Sequence, residues 1–374
     1  MVIYSSGTTG LPKGILITHR NFVAQMILSG KRGFNMITPE DITLSSNPCT
    51  HLSGIWVSSV SFAVGATVVA APSSDPDVIL PAIEKYKVTV MLLFPTYALK
   101  LLQSPLLDKV TVMLLFPTYA LKLLQSPLLE KVDTSSFETI IIGGSTAPAV
   151  VARGVIEKLK LQSYMHMYGM TETTAAVTMS SRGNLDYVSA GVPVAMSDMK
   201  VVDVRSGEKL GPRQEGEICI RSPLCVPGYL NRPQATAALY DNEGFLRSGD
   251  IGYYDEKGRF YIVDRQKEMI KCMDLAVSPA EVEGILQQHV SVKEVAVAGV
   301  PHAEYGEGAR AFVVLHQDDT HIVTEEELAK LVSDQLAPHK HLHGGVEFVT
   351  SIPKSDTGKY LRRTLRDNFL KAKA

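Results

Sequence analysis

Apolar positions along the chain fall into two regimes. Over roughly the first half, short runs of branched residues that read as buried strands alternate with segments of helical spacing. Ile15-Leu16-Ile17 is one such run. Residues 18–30 have helical spacing, and residues 42–46 form a short strand leading into Asn47-Pro48-Cys49-Thr50-His51. Residues 57–71 are almost wholly apolar around Gly65, which predicts a buried helix running into a buried strand. Residues 139–142 end in Gly143-Gly144-Ser145 and are followed by Pro148 and a helix to about Leu159. That unit places glycines at a strand end, where ligands bind in open α/β sheets. Between residues 189 and 263, Gly and Pro separate short β-rich runs at 200–204, 216–220 and 260–263, which predicts a small β subdomain.

Beyond Asp264 the pattern becomes a compact α+β alternation. A helix starts at Ser278 with Pro279 in its first turn and runs to His289; strands follow at 292–299 and 309–315. Thr324 with Glu327 forms a capping-box signature for a helix ending before Pro338. The expected architecture is α/β: a large N-terminal domain over residues 1–263, with parallel sheet layers and the small β subdomain, then a smaller α+β domain over 264–374.

One segment is written twice. Residues 87–108 read KVTVMLLFPTYALKLLQSPLLD, and residues 109–130 repeat them with one change, Asp108 against Glu130. Each copy predicts a strand (88–94 and 110–116), a Pro turn and an amphipathic helix (96–102 and 118–124). A solenoid needs at least about three repeats to bury a continuous core, so two copies indicate a recent duplication or a gene-model error rather than a repeat fold. A second copy inside a parallel sheet would displace every later strand. The expectation is therefore that one copy occupies the sheet and the other is accommodated as an insertion.

Polar chemistry concentrates near the start, in Tyr4-Ser5-Ser6-Gly7-Thr8-Thr9-Gly10-Leu11-Pro12-Lys13-Gly14. Consecutive Ser, Gly and Thr can fold backbone N–H groups and hydroxyls around an anion, and Lys13 adds a point charge. Gly-Lys-[Ser/Thr] is absent, so this is not the Walker loop. A Gly/Ser/Thr turn without a ligand is the plain alternative for such a stretch taken alone.

Composition narrows the class. With 45% hydrophobic and 20% charged residues and a formal net charge of -2, the chain reads as globular and gives no electrostatic case for nucleic acid. The four cysteines, Cys49, Cys219, Cys225 and Cys272, lack paired spacing, which argues against a zinc site or a disulfide framework and for a reducing compartment. No apolar run is long enough to span a membrane, and the start lacks a signal-peptide profile. The ending Leu370-Lys371-Ala372-Lys373-Ala374 is not a Ser-Lys-Leu address, so a cytoplasmic location is expected. His339, His341 and His343 alternate as strand ligands would, but a solvated loop is the stronger reading.

Five stretches then occur in a telling order: residues 5–14, Tyr168-Gly169-Met170-Thr171-Glu172, Ser248-Gly249-Asp250, Val263-Asp264-Arg265 with residues 267–271, and residues 353–359. Together they resemble the adenylate-forming superfamily of acyl-CoA synthetases, 4-coumarate–CoA ligases and firefly-type luciferases, across essentially the whole chain. The resemblance implies a two-step ligase using ATP, Mg²⁺ and CoA. A small-molecule carboxylic acid attacks the α-phosphorus of ATP to give acyl-AMP and pyrophosphate, and the CoA thiol then displaces AMP.

It further implies that Ser5, Ser6, Gly7, Thr8, Thr9, Gly10 and Lys13 hold the β and γ phosphates, Thr171 the α phosphate and Glu172 the Mg²⁺. By the same resemblance Tyr168 stacks on adenine, Gly144 and Ser145 line its edge, and Asp250, assisted by Arg265, takes the ribose hydroxyls. Lys359 matches the catalytic lysine, and His51 a histidine near the acyl and CoA tunnel. Closure of the second domain about Asp264 is implied, and some relatives are peroxisomal.

The chain also departs from that pattern. Family members carry a further N-terminal region before the phosphate loop, so the chain reads as truncated. Cys272-Met273-Asp274-Leu275 stands where an aromatic-Lys-Gly-aromatic turn is usual, which removes a lysine used in the thioester step. The alternatives are a luciferase-like monooxygenase and a catalytically impaired fragment.

Overall fold

In the computed structural model the described residues are 1–5, 13–29, 36–46, 52–73, 76–92, 110–115, 117–125, 129, 134–144, 148–174, 176–273, 275–316, 323–355 and 359–373. They form two compact units, one of residues 1–147, 151–248 and 252–262, the other of 148–150, 249–251 and 263–374.

The first unit opens with a hairpin of β1 (Val2–Ser5) and β2 (Lys13–Leu16), antiparallel with Ser5 opposite Lys13. Helix α1 (His19–Ser29) follows, started by Thr18, whose N–H and hydroxyl both donate to Asn21 Oδ1 at 2.9 and 2.7 Å. Next come β3 (Ile42–Ser45), α2 (Leu52–Val64), β4 (Thr67–Ala70), α3 (Pro76–Tyr86), β5 (Val90–Leu92), β6 (Val112–Leu115), α4 (Pro117–Leu124), β7 (Thr139–Ile142), α5 (Ala149–Leu159), β8 (Ser163–Gly169), β9 (Ala176–Met179) and β10 (Val192–Pro193). These strands build one eight-stranded sheet in the order β10-β9-β8-β7-β6-β5-β3-β4. From β4 to β8 the pairs are parallel; β9 and β10 add antiparallel edges. The fold is α/β, and its large sheet is mixed rather than all parallel.

Strand alternation sends residues to two layers. Met91, Met113, Ile140, Ile142 and Tyr164 pack against α3, α4 and α5; Val90, Leu92, Val112, Leu114, Ile141 and Met165 share the opposite core with Trp56, Val57 and Val60 of α2. Burial on both faces is why β7 reads as a continuous apolar run. The strand expected to be buried after Gly65 is β4, the edge strand of the sheet among the described residues, with Thr67 and Ala70 exposed.

The duplicated segment corrects an expectation. Both copies contribute strands, β5 from the first and β6 from the second, and they pair side by side in parallel with Val90 opposite Val112, Met91 opposite Met113 and Leu92 opposite Leu114. The sheet accommodates both because the copies carry the same alternation, so each presents the same residues to the two layers. The helix of the second copy is α4; the predicted helix of the first copy, 96–102, lies outside the described residues.

The small β subdomain is a four-stranded sheet in the order β11-β12-β13-β14, from β11 (Asp198–Val202), β12 (Gly216–Arg221), β13 (Leu246–Tyr254) and β14 (Phe260–Arg265). A short helix, α6 (Pro233–Ala237), precedes β13.

The second unit holds β15 (Ile270–Cys272), β16 (Leu275–Val277), α7 (Pro279–Leu286), β17 (Val292–His302), β18 (Gly306–Leu315), α8 (Glu325–Ser333), β19 (Gly345–Phe348) and α9 (Arg362–Lys373). Its sheet runs β16-β15-β18-β17 with β19 parallel to β18. Ser278 and Thr324 cap α7 and α8 by accepting from Glu281 N and Glu327 N. His339, His341 and His343 lie in the turn before β19, not on a strand; His341 and His343 Nε2 approach Leu336 O and Pro338 O.

Candidate active site

Lys13 begins β2, directly after the expected phosphate loop, so the hairpin fixes both ends of that loop. Of the loop residues, Ser6, Gly7, Thr8, Thr9 and Gly10 lie outside the described residues, as do His51 and Ser145; Ser5 is placed by its backbone as the last residue of β1.

Five hydrogen-bonding and ring contacts tie β2 to the turn after β8. Thr171–Thr173 form a 3₁₀ turn, closed by Met170 N donating to Thr173 Oγ1 at 3.0 Å. Val226 N donates to Glu172 O at 2.9 Å, and Leu230 N donates to Gly14 O at 2.7 Å. Leu16 N donates to Gly228 O at 3.1 Å. Between these bonds the Tyr229 hydroxyl donates to Glu172 Oε1 at 2.9 Å, and Lys13 Nζ lies 4.7 Å from the centre of the Tyr229 ring. One tyrosine thus holds an ammonium on its face and a carboxylate at its tip. Thr174, at φ 57°, turns the chain out of the 3₁₀ turn and bonds through Oγ1 to Leu224 O at 2.8 Å.

Tyr229 was not singled out in the sequence, since it sits outside the five stretches. The aromatic beside Gly228 ahead of Pro233 gave no chemical signal; only the backbone pairing of residues 228–230 with β2 brings it in.

Tyr168 ends buried on β8, 8% exposed, and Gly143 and Gly144 follow β7, the neighbouring strand. A side chain at Gly143 would meet Met167 Cγ at 2.8 Å, so only glycine fits that close approach. Gly144 takes φ 85°, a left-handed turn that carries the chain off the strand end. His166, two residues before Tyr168, is buried; burial pushes its imidazole down to about 4, so the ring is neutral near pH 7.

In the second unit Asp250 is 3% exposed and its Oδ1 receives Arg265 Nε at 2.9 Å. Asp250 and Arg265 are therefore an ion pair. Beside them Asp264 is anchored: Ser278 Oγ and Ala280 N donate to Asp264 Oδ2 at 2.8 and 3.1 Å, which joins it to the start of α7. Lys359 is exposed; its carbonyl oxygen accepts from Ser355 N at 2.9 Å, and Lys354 pairs across with Tyr360. Lys354 Nζ meets Glu294 Oε1 at 2.6 Å, and Arg362 meets Glu283 at 2.8 Å, so the cations flanking Lys359 are already neutralised. Burial pushes the Arg362 guanidinium down, but Glu283, Glu268 and Asp264 outweigh it and raise it above its ordinary value.

Met273 forms the β15–β16 turn at φ 54° and donates from its N–H to Tyr305 O at 3.0 Å. Asp274 lies outside the described residues.

A cavity of about 510 Å³ in the four-stranded sheet is separate from these residues; it is lined by Lys200, Arg221 and Phe245, and Lys200 is closed by Asp241 at 2.7 Å. Among the described residues no three His, Cys, Asp or Glu side chains cluster as a metal cage.

Residues 1–230 match the family model described as AMP-binding enzyme, and residues 281–359 match AMP-binding enzyme C-terminal domain. The chain belongs to the AMP-binding enzyme family. Among curated proteins this AMP-binding enzyme is 36% identical to a luciferin 4-monooxygenase of Photinus pyralis, over 100% of the chain and 64% of that protein. It is 34% identical to a probable 4-coumarate–CoA ligase 1 of Dictyostelium discoideum, over 98% of the chain and 63% of the relative. Among solved structures it is similar to ATP-bound MatB from Rhodopseudomonas palustris, with a TM-score of 0.84, 28% identity, and coverage of 100% of this chain and 68% of that one. The chain thus spans about 64% of the length of the curated relatives it matches. No helix among the described residues is long and apolar enough to cross a membrane.

Proposed function

We propose that the chain activates a small carboxylic acid with ATP, forming an acyl-adenylate and pyrophosphate, and passes the acyl group to the thiol of coenzyme A. The observation that carries the reading is the Tyr229 clamp. It fixes a cation that begins β2, Lys13, and an acid at the end of β8, Glu172, against one side chain, the pairing of charges that a metal-bound polyphosphate needs.

In this reading Lys13 and residues 5–10 receive the β and γ phosphates, and Thr171 the α phosphate. Tyr168 stacks on adenine beside Gly144 and Ser145. Asp250 takes the ribose hydroxyls; a carboxylate suits two vicinal donors, and Arg265 holds its other side in place. Glu172 would hold Mg²⁺: a carboxylate has about four lone-pair positions, the Tyr229 hydroxyl uses one, and Mg²⁺ takes one or two carboxylates with phosphate oxygens. That ion, when bound, neutralises polyphosphate charge.

In the first step a carboxylate oxygen of the acid bonds to the α-phosphorus while the bridge to the β-phosphate breaks, and pyrophosphate leaves with the electron pair. Lys359 supplies positive charge to the oxygens as charge builds up. His51 belongs near the acyl and thiol path. Transfer to coenzyme A proceeds without an amine at position 273, because Met273 replaces the lysine that the resemblance implies there.

The test is the nucleotide product. Incubation with ATP, Mg²⁺, coenzyme A and a panel of aromatic and fatty acids should release AMP and pyrophosphate only when an acid is present, the thiol displacing AMP from the acyl-adenylate. Release of ADP, or turnover independent of acid, contradicts the reading. Light with luciferin, ATP and O₂ would instead favour the monooxygenase activity named for the Photinus pyralis relative.

A further inference from the structure

The strands of the two copies are equivalent in their main-chain bonding, although Thr89 Oγ1 donates to Asp41 Oδ1 at 2.7 Å while Thr111 Oγ1 donates to Thr89 O at 3.5 Å. Thr89 N donates to Ile42 O of β3 at 2.9 Å, and Thr111 N donates in the same way to Thr89 O at 3.0 Å. On the far side Thr89 O accepts from Val112 N at 3.2 Å, and Thr111 O accepts from Thr139 N of β7 at 3.1 Å. Each threonine therefore gives its N–H to the strand before it and its carbonyl to the strand after it. A single copy could do both at once, with its N–H to Ile42 and its carbonyl to Thr139. The side chains agree: Met91 and Met113 enter one core layer, while Val90, Leu92, Val112 and Leu114 enter the other.

The blocks on either side are separately braced. On one side α2 is bonded to β3, through Ser58 Oγ to Ser45 Oγ at 2.8 Å and Ser61 Oγ to Thr43 Oγ1 at 2.9 Å. On the other side β7 and β8 carry Gly143, Gly144, Tyr168, Thr171 and Glu172 at their carboxyl ends. In open α/β sheets ligands lie outside those ends.

From this we infer that the duplicated unit is a spacer that sets the width of the acid-binding crevice. It places the α2–β3 block one strand farther from the Tyr168–Glu172 block, adding about 4.8 Å of separation and roughly 20–25° of twist. The chain accordingly takes acids with a longer or broader body than a single-copy form would. This substrate preference rests on the acid-activating reading above; the spacer geometry does not.

The experiment compares the full chain with a variant lacking residues 109–130. Nitroxide labels are introduced at Thr67 on β4 and Val192 on β10, both exposed and on opposite sheet edges, and their separation is read by pulsed electron resonance. The deletion should keep a cooperative unfolding transition and shorten the label distance by about 5 Å. A variant lacking residues 87–108 has the same remaining copy with Glu for Asp and must behave alike. Loss of cooperative unfolding in both variants, or an unchanged distance, overturns the spacer.

Acid-dependent pyrophosphate exchange is then measured over a graded series of acids. A shift toward shorter acids in the deletion variant, with kcat/KM ratios changed by about tenfold or more, supports the crevice assignment. An unchanged ranking despite a contracted distance overturns it. No exchange by either form with a contracted distance upholds the spacer and defeats the acid-activating reading.

Discussion

The Tyr229 hydroxyl donates to Glu172 Oε1 at 2.9 Å, and the same ring carries Lys13 Nζ 4.7 Å from its centre. Both partners belong to stretches assigned to polyphosphate and metal, but they come from chain positions far apart. Tyr229 connects them because residues 228–230 run antiparallel to β2, with Ile15 opposite Tyr229.

The variant Tyr229→Phe keeps the ring under Lys13 and removes the bond to Glu172. A hydrogen bond to a charged group contributes about 1.5–3 kcal/mol, lessened here because Glu172 is only half-buried, so the Mg²⁺ concentration for half-maximal exchange should rise about threefold to tenfold. Tyr229→Leu also loses the cation–π contact, worth about 0.5–1 kcal/mol at an exposed site, and should raise the KM for ATP as well. Parental Mg²⁺ dependence in Tyr229→Phe would show that the bond does not position Glu172.

At the β15–β16 turn Met273 occupies φ 54°, a left-handed conformation that costs a residue with a Cβ about 1–2 kcal/mol. Glycine relieves that strain but loses more entropy on folding, about 0.4–1 kcal/mol, so Met273→Gly should stabilise the second unit by about 0.5–1 kcal/mol. Denaturant midpoints measure it, and Met273→Val should move the opposite way.

His166 gives a pH dependence. Its folded value, lowered to about 4 by burial, lies below the ordinary 6.5, so the unfolded chain binds the proton more readily. The stability this contributes is fully present above about pH 6.5 and is lost as pH falls toward about 4, on the order of 3 kcal/mol in all. Unfolding free energies at pH 7 and 5 should therefore differ more in the parent than in His166→Leu; equal differences would contradict the assignment.

Much of the architecture was legible because burial on two faces leaves continuous apolar runs such as Thr139–Ile142, and because Ser278 and Thr324 announce their helices by cap chemistry. Asp250 and Arg265 came from motif order, and they pair at 2.9 Å. Three features were not legible. Tyr229 reaches the site only through strand pairing between distant segments. Placement of both copies in the sheet, where the expectation is one copy there and the other as an insertion, depends on β3 and β7 each accepting the same strand edge, a three-dimensional property. The left-handed backbone at Met273 contradicts the preference of its residue type and is imposed by the tight turn between Cys272 and Leu275, which face one another across the hairpin.

The central claim is acid activation at the α-phosphorus with Lys359 as the neutralising cation. Its direct test is incorporation of labelled pyrophosphate into ATP, with and without a panel of carboxylic acids, by the full chain and by Lys359→Ala. The account predicts exchange that requires an acid and falls about 100-fold or more in Lys359→Ala, with ATP binding retained. Exchange that is absent with every acid, or undiminished in Lys359→Ala, would contradict it.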